Sequence, residues 1–179
     1  MNINALTKGL PFRRQSIALE QIGSQRWRLL AEDLPLPVAT LRLDALANNS
    51  RWMREFITRT GVKLAPHGKT TMSPQLFAMQ MADGAWGLTL ATLHQVRIAR
   101  AAGIERILLA NELIGPRDIA YVLDELNQHP AFDFYCLVDS LEGAHQLMEA
   151  AAARAIGRPL KLLIEVGYQG GRAGCRDIG

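Results

Sequence analysis

The sequence predicts an α/β fold built on a parallel sheet, and three features of the 179-residue chain support this class. Apolar runs of strand length alternate with helical patterns along most of the chain. After the first run, the apolar runs recur every 20 to 27 residues, with one helix pattern between neighbouring runs. That spacing is typical of βα units, which build parallel sheets. The runs are also almost continuously apolar, as expected when helices cover both faces of a sheet.

The predicted elements follow in order along the chain. The six strands cover residues 37–43, 62–66, 86–91, 106–110, 133–138 and 160–166. The five helices each begin at a residue that can cap a helix or occupy its first turn. These residues are Asp44, Ser73 with Pro74, Thr92, Pro116 and Ser140. The first helix is expected to end at Thr60 because Gly61 follows it.

Two architectures fit this order of elements, an open doubly wound sheet and part of a (β/α)8 barrel. A whole barrel usually needs about 250 residues, so a barrel built from this chain is expected to be incomplete. We assign residues 1–36 to an N-terminal extension and residues 37–179 to the sheet domain. In both architectures, ligands bind at the carboxyl ends of the strands. Small or polar residues follow nearly every predicted strand, so we expect a site there.

The composition is that of a globular domain and argues against several classes of protein. The hydrophobic fraction is 49% and the charged fraction is 21%, which argues against a disordered chain. The net charge of +3 arises in residues 1–60, which hold nine Lys and Arg against five Asp and Glu. The sequence contains no basic block with interleaved aromatic residues, so a nucleic-acid partner is not expected.

Membrane and secreted classes are also disfavoured by the sequence. No apolar run reaches the roughly 18 residues that a membrane helix needs, and the first residues lack the apolar centre of a secretory signal. Cys136 and Cys175 are too few for a disulfide scaffold. We therefore interpret them as reduced thiols and expect a cytoplasmic protein without a membrane partner.

Lys69 is the strongest candidate for chemistry among the residues themselves. It follows the predicted strand at 62–66 by three residues, with Gly68 before it and two threonines after it. Buried surroundings that lowered its pKa from about 10.4 toward roughly 7–8 would make it a nucleophile or a base. A solvent-facing loop lysine is the alternative. His67 lies two residues earlier, so both side chains share a face if the segment is extended.

A second candidate, Arg172, lies in the glycine-rich segment GYQGGRAG at residues 167–174, after the last predicted strand. The segment lacks the spacing of a dinucleotide fingerprint and the lysine of a P-loop, so it is weak as a nucleotide motif. An arginine in such a loop can bind a phenolate or carboxylate through its fixed fork of donors. A surface turn is the alternative. The histidines show no metal-ligand spacing, so no metal site is predicted in the chain.

Four ordered segments resemble a family of pyridoxal-phosphate enzymes. The segment LAPHGKTTMSP at residues 64–74 is similar to the motif around the cofactor lysine in D-serine dehydratases and D-threonine aldolases. These enzymes, often described as amino acid deaminases, have the alanine-racemase-like fold type. Segments 84–92, 107–114 and 164–175 resemble three later stretches of the same family, in the same order.

The resemblance implies a (β/α)8 barrel of the alanine-racemase N-terminal type, incomplete in this chain. It implies that Lys69 holds pyridoxal 5′-phosphate covalently. His67 and Thr70 would line the cofactor, and Arg172 would meet its phenolic oxygen. It further implies a lyase that dehydrates or cleaves small D-amino acids with a β-hydroxyl group, and a homodimer when full-length. A divalent metal would be held by a later region of the family, beyond the residues present here.

Other functions stay open at this point. A racemase on the same scaffold, a non-enzymatic pyridoxal-phosphate-binding protein and a generic metabolite-binding domain all fit the pattern of elements. The family continues through the rest of the barrel and into a C-terminal β domain. We therefore expect the 179 residues to be a fragment that has no lyase activity by itself.

Overall fold

The computed structural model describes residues 2–4, 6–11 and 16–177 and divides into two units, Met1–Asn48 and Asn49–Gly179. In the first unit, β1 (Asn2–Ile3) pairs with β2 (Ile17–Ala18) in an antiparallel ladder. Short 3₁₀ turns follow at Leu19–Gln21, Gly23–Gln25 and Leu29–Ala31. The parallel sheet lies entirely in the second unit.

The prediction of a strand at residues 37–43 is wrong. Residues 38–42 have no regular secondary structure, and no described segment pairs with them. An extended segment becomes a strand only when a neighbour accepts and donates its backbone hydrogen bonds. Without that neighbour, the apolar side chains of the segment gain little burial, and Leu41 is exposed. The apolar pattern of this segment therefore does not produce a strand.

The first long helix, α1 (Leu43–Thr60), begins one residue before the predicted cap. Asp44 therefore lies inside the first turn, where its carboxylate contacts Arg42 at 2.5 Å. The prediction that Asp44 is the N-cap residue is wrong, because an N-cap residue precedes the helix. The predicted end is confirmed. Gly61 follows with a φ of +68° and donates its N–H to the carbonyl of Ile57, which is the left-handed termination that glycine favours.

Four parallel strands in the order β3, β4, β5 and β6 form the main sheet. They are β3 (Leu88–Leu90), β4 (Arg106–Glu112), β5 (Asp133–Val138) and β6 (Lys161–Ile164). The helices are α2 (Pro74–Ala82), α3 (Leu93–Ala101), α4 (Pro116–Gln128) and α5 (Leu141–Ala153). The predicted α/β class with a parallel sheet is confirmed. The predicted caps Ser73, Thr92 and Ser140 each accept a backbone N–H at the start of their helix.

The strand predicted at residues 62–66 forms only an extended segment beside β3. The N–H of Trp86 donates to Leu64 O at 2.7 Å, and that of Thr89 donates to Pro66 O at 2.8 Å. A single parallel bridge joins His67 to Thr89. Pro66 has no N–H to donate, so a regular ladder cannot extend through it. The segment keeps the position of a first strand without its regular pairing.

The hydrophobic core lies between the sheet and its helices. Alternate residues of β4 and β5 are buried, as the two-residue period of a strand requires. The core side chains from the strands are Leu88, Leu90, Ile107, Leu109, Phe134, Cys136 and Val138. Those from the helices include Phe77, Val96, Ile119, Val122, Leu123 and Leu147. The packing of this core holds the four strands in one parallel sheet, so their carboxyl ends lie at the same side of it.

A charge cluster lies at the amino ends of β4, β5 and β6, and we call it the amino-end cluster. It consists of Arg106, Asp133, Tyr135 and Lys161. Asp133 accepts from Arg106 Nε at 2.8 Å and from Lys161 Nζ at 2.5 Å. The Tyr135 hydroxyl lies 3.3 Å from the same carboxylate, and Lys161 lies over the Tyr135 ring. These contacts tie the three strands together at one end of the sheet.

The last strand is the least covered part of the sheet. β6 pairs with β5, and no other described segment pairs with its opposite side. Leu163 is 42% exposed, Ile164 75% and Val166 79%.

In the described part of the chain, no helix combines the length and the apolar character required to cross a membrane.

Candidate functional site

The parallel strands end at one edge of the sheet, which we call the carboxyl edge. The predicted site residues lie there, at the two sides of the sheet. His67, Lys69 and Thr70 follow the extended segment beside β3, and Arg172 lies in the loop after β6. Ligands of parallel α/β sheets bind at this edge. Strand ends of β3, β4 and β5 lie between the two groups.

Lys69 lies in a tight turn between His67 and α2, and its side chain is exposed. The expected burial around this amine is not present, so the alternative of a solvent-facing lysine describes its surroundings better. The turn depends on Gly68, which is buried. A Cβ at this position would lie 2.8 Å from Leu88 and 2.9 Å from Phe77. The packing of the core against Gly68 therefore fixes the backbone from which Lys69 projects.

Thr70 and His67 are exposed near Lys69. His67 is held by its backbone bridge to Thr89, a buried threonine whose hydroxyl donates to Ala65 O at 2.8 Å. Three different functional groups, an amine, an imidazole and a hydroxyl, are thus displayed within four residues at the carboxyl edge. No described residue forms a hydrogen bond or ion pair with the Lys69 amine, so the amine is available to a ligand.

A bulge near the end of β4 brings an acidic side chain to the edge that sequence reasoning did not single out. Leu109 pairs with Cys136, but the next residue of β5, Leu137, pairs with Glu112. Ala110 and Asn111 are therefore left outside the ladder, as in strands that bulge beside functional sites. The Glu112 side chain has a buried oxygen, Oε1, which has no hydrogen-bond partner among the described residues.

Two further carboxyl groups, those of Glu165 and Asp139, lie near Glu112. Partial burial raises the pKa of the Glu165 carboxyl, and its interaction with the Glu112 carboxyl raises it further. The negative charges of Glu112 and Asp139 act in the same direction, while the positive charge of Arg172 lowers this pKa. The net result is a pKa above the ordinary value of 4.5. A like-charge pair of this kind favours retention of one proton.

The segment that carries Arg172, residues 167–175, is closed at its base, and we call it the glycine loop. Val166 and Cys175 form an isolated bridge, and the N–H of Cys175 donates to Glu165 O at 2.8 Å. The thiol of Cys175 lies 2.6 Å from Asp139 O, at the end of β5. Arg172 lies in this loop and is exposed. The positive charge of Arg172 acts on the carboxyl of Glu165, so the loop presents a guanidinium near that group.

The structure brings the predicted residues to one edge without joining them directly. Four strand spacings, each about 4.8 Å, separate the segment of His67 from β6, and no hydrogen bond or ion pair among the described residues links Lys69 to Arg172. Glu112, Asp139 and Glu165 fill part of the intervening edge. The sequence pattern does indicate Asp139 and Glu165, because each is a polar residue that directly follows a strand, β5 or β6. Glu112 depends on the bulge, which no sequence pattern indicated.

Comparison with known proteins identifies a dehydratase and an aldolase among the relatives of this chain. The chain is similar to D-threo-3-hydroxyaspartate dehydratase from Delftia sp. (strain HT23), with 33% identity over 141 residues, and to D-threonine aldolase from Arthrobacter sp, with 30% identity over 142 residues. Each alignment covers 79% of this chain and 36% of the relative. The chain thus spans about a third of the length of the curated relatives it matches.

The fold comparison agrees with the sequence comparison and confirms the family resemblance. The crystal structure of D-threonine aldolase from Filomicrobium marinum matches with a TM-score of 0.71 and 27% identity, covering 80% of this chain and 38% of that one. D-threo-3-hydroxyaspartate dehydratase from Delftia sp. HT23 matches with a TM-score of 0.66 and 33% identity, covering 82% and 36%. Residues 41–178 match the family described as alanine racemase, N-terminal domain, so the chain belongs to that family and its parallel sheet is an incomplete (β/α)8 barrel.

Proposed function

We propose that this chain is the cofactor-binding part of a pyridoxal-phosphate-dependent lyase that acts on small D-amino acids with a β-hydroxyl group. The observation that carries the proposal is the exposed Lys69 amine at the carboxyl edge, in a chain 33% identical to D-threo-3-hydroxyaspartate dehydratase. Dehydration and aldol cleavage both begin with weakening of a bond at the substrate α-carbon. Relatives named for each of these reactions match the chain.

The functional groups at the carboxyl edge fit pyridoxal phosphate. The primary amine of Lys69 suits its aldehyde, and the guanidinium of Arg172 suits its phenolate oxygen. Arg172 is exposed, and no described residue forms a hydrogen bond or ion pair with its guanidinium, so this group is available to a ligand. The unpartnered Oε1 of Glu112 adds a buried polar atom to the same edge.

When bound, pyridoxal phosphate supplies a ring that withdraws electrons from a bond at the substrate α-carbon. The residues of this chain bind and orient that ring. Lys69 would hold the cofactor through its Nζ, and the same Nζ would be available to move a proton at the substrate α-carbon. Arg172 would bind the phenolate oxygen of the cofactor, and His67 and Thr70 would line the cofactor near Lys69.

The family resemblance also implies a divalent metal in the whole protein. Among the described residues, no three His, Cys, Asp or Glu side chains are grouped as metal ligands. We propose that any metal used by the enzyme is held by residues outside this chain. Its chemistry would be to polarise the β-hydroxyl of the substrate.

Borohydride trapping tests the assignment of the cofactor lysine. The chain is incubated with pyridoxal phosphate, reduced with borohydride and mapped by peptide mass spectrometry. We expect the pyridoxyl mass on Lys69 and its loss in Lys69→Arg, which keeps the charge but not the primary amine. A pyridoxyl mass on Lys63 or Lys161 in place of Lys69 would contradict the proposal.

A turnover assay on the protein that contains this sequence then tests the reaction class. D-threonine, D-serine and D-3-hydroxyaspartate are supplied separately, and release of aldehyde or ammonia is measured. We expect release from at least one of these substrates and none from their L-enantiomers. Racemisation without release would instead favour the racemase alternative.

A further inference from the structure

Arg176, which follows the glycine loop, binds the backbone of that loop with its guanidinium group. Its Nη1 donates to Ala173 O at 2.6 Å and also to Gly174 O. Its Nη2 donates to Gly171 O at 2.8 Å. Three carbonyl groups of one loop thus converge on a single arginine. Charge-assisted hydrogen bonds of this kind are stronger than neutral ones.

The contacts of Arg176 lie on both sides of Arg172 in the sequence. Gly171 precedes Arg172 and Ala173 follows it, and both carbonyls are held by the same guanidinium. Gly170 and Gly174 have positive φ values of +81° and +89°. Glycine has the greatest backbone freedom of any residue, so a loop with these residues needs an external restraint to hold one conformation.

The inside of the glycine loop is shaped to accept this guanidinium. A Cβ added at Gly167 would collide with Arg176 Nη1 and Ala173 O. A Cβ at Gly174 would lie 2.6 Å from Gly167 N and 2.8 Å from Glu165 O. The glycines therefore let the chain close around Arg176, and the backbone bond from Gly167 N to Cys175 O completes the closure at 2.8 Å.

We propose that Arg176 is a positioning residue that holds the loop carrying Arg172 in the conformation that binds the cofactor. The role of Arg172 rests on the proposed function, whereas the restraint of the loop by Arg176 does not. Arg176 acts through the backbone on each side of Arg172 and need not touch the cofactor. Its own charge is directed to carbonyl oxygens, which leaves the Arg172 guanidinium as the donor offered to a ligand.

Hydrogen–deuterium exchange without cofactor tests the restraint itself. In Arg176→Gln we expect the amides of Gly167, Gly171 and Cys175 to exchange at least about tenfold faster than in the parent chain. Arg176→Lys should restore part of the protection, because an ammonium can reach one or two of the three carbonyls. Arg158→Gln is the matched control, since Arg158 binds the carbonyls of Pro130 and Phe132 at the other end of the sheet. Unchanged exchange in the glycine loop of Arg176→Gln would overturn the proposal.

Titration with pyridoxal phosphate tests whether the restraint acts through Arg172. We expect Arg176→Gln and Arg172→Ala each to weaken binding by about tenfold, and the double variant to bind no more weakly than Arg172→Ala. Losses that multiply, or normal binding by Arg176→Gln, would show that Arg176 does not work through Arg172. A parent chain that binds no pyridoxal phosphate would reject the proposed function, while the exchange measurement would still decide the restraint.

Discussion

At the scale of single residues, the carboxylate of Asp133 is the centre of the amino-end cluster. Partial burial acts to raise its pKa, but hydrogen bonds from Lys161 and Arg106 outweigh that effect and hold the pKa below its ordinary 3.8. A carboxyl with a lowered folded-state pKa stabilises the fold fully above its unfolded-state pKa, and that contribution is lost as the pH falls through the folded-state value. The stabilisation by Asp133 is therefore present at neutral pH and disappears in acid.

We expect Asp133→Asn to lower the free energy of unfolding by about 1–3 kcal/mol at neutral pH, because two cations lose their partner. The variant should also show a weaker dependence of stability on pH below about pH 4. Urea unfolding at a series of pH values measures both effects. Asp124→Asn is the control, since Asp124 pairs with Arg154 at an exposed site and such pairs contribute little. Equal pH profiles for the parent and Asp133→Asn would contradict this role.

Gly68 allows a second prediction at the residue scale. Its Cβ would contact Leu88 and Phe77 at less than normal van der Waals distance. We expect Gly68→Ala to destabilise the fold by about 1–3 kcal/mol through overpacking and to displace the turn of Lys69. Thermal unfolding measures the stability. Gly157→Ala should have little effect, because nothing lies within 4 Å of the added Cβ. A melting temperature for Gly68→Ala equal to that of Gly157→Ala would show that the core tolerates the methyl group.

At the scale of elements, the bulge in β4 places Glu112 beside Glu165. The Glu112 carboxyl raises the pKa of Glu165, in addition to the larger effect of burial, and Arg172 lowers it. We therefore expect Glu112→Gln to lower the pKa of Glu165 and Arg172→Gln to raise it. Carbon-13 NMR titration of the glutamate carboxyl groups measures both shifts. Shifts of the same sign in the two variants would exclude this arrangement of charges.

At the scale of the whole molecule, β6 influences how the 179-residue chain behaves by itself, because no described segment pairs with its outer side. An unpaired strand with exposed apolar residues resembles the surfaces through which sheets associate. We expect the chain to self-associate at high concentration, as measured by sedimentation, and to bind a hydrophobic dye. Ile164→Lys should reduce both, whereas Leu141→Lys, at an equally exposed residue of α5, should not. A chain that stays monomeric at all concentrations would contradict this expectation.

Much of the fold could be predicted from the sequence because its signals are local. Ser73, Thr92 and Ser140 cap their helices through their own side chains, and the apolar runs of β4 and β5 pack against helices wherever βα units repeat. The strand predicted at residues 37–43 has the same local pattern but lacks a partner. Pairing with a neighbour is a property of the folded chain, so the sequence pattern could not distinguish this segment from a true strand.

The candidate site divides in the same way. The sequence by itself determined the parallel α/β class, the order of the βα units, and the placement of Lys69 after an extended segment and of Arg172 after β6, because these depend on residue types and spacing along the chain. Only the tertiary structure decided that Glu112 and Glu165 lie together and that Arg176 holds the loop around Arg172. Glu112 and Glu165 are distant in sequence and meet because of the bulge in β4. Arg176 is close in sequence to the carbonyls that it binds, but they converge on it only when the loop closes between Val166 and Cys175. The physical reason is that residue propensities specify helices and strands, whereas charge pairing and loop closure depend on contacts that form only in the folded chain.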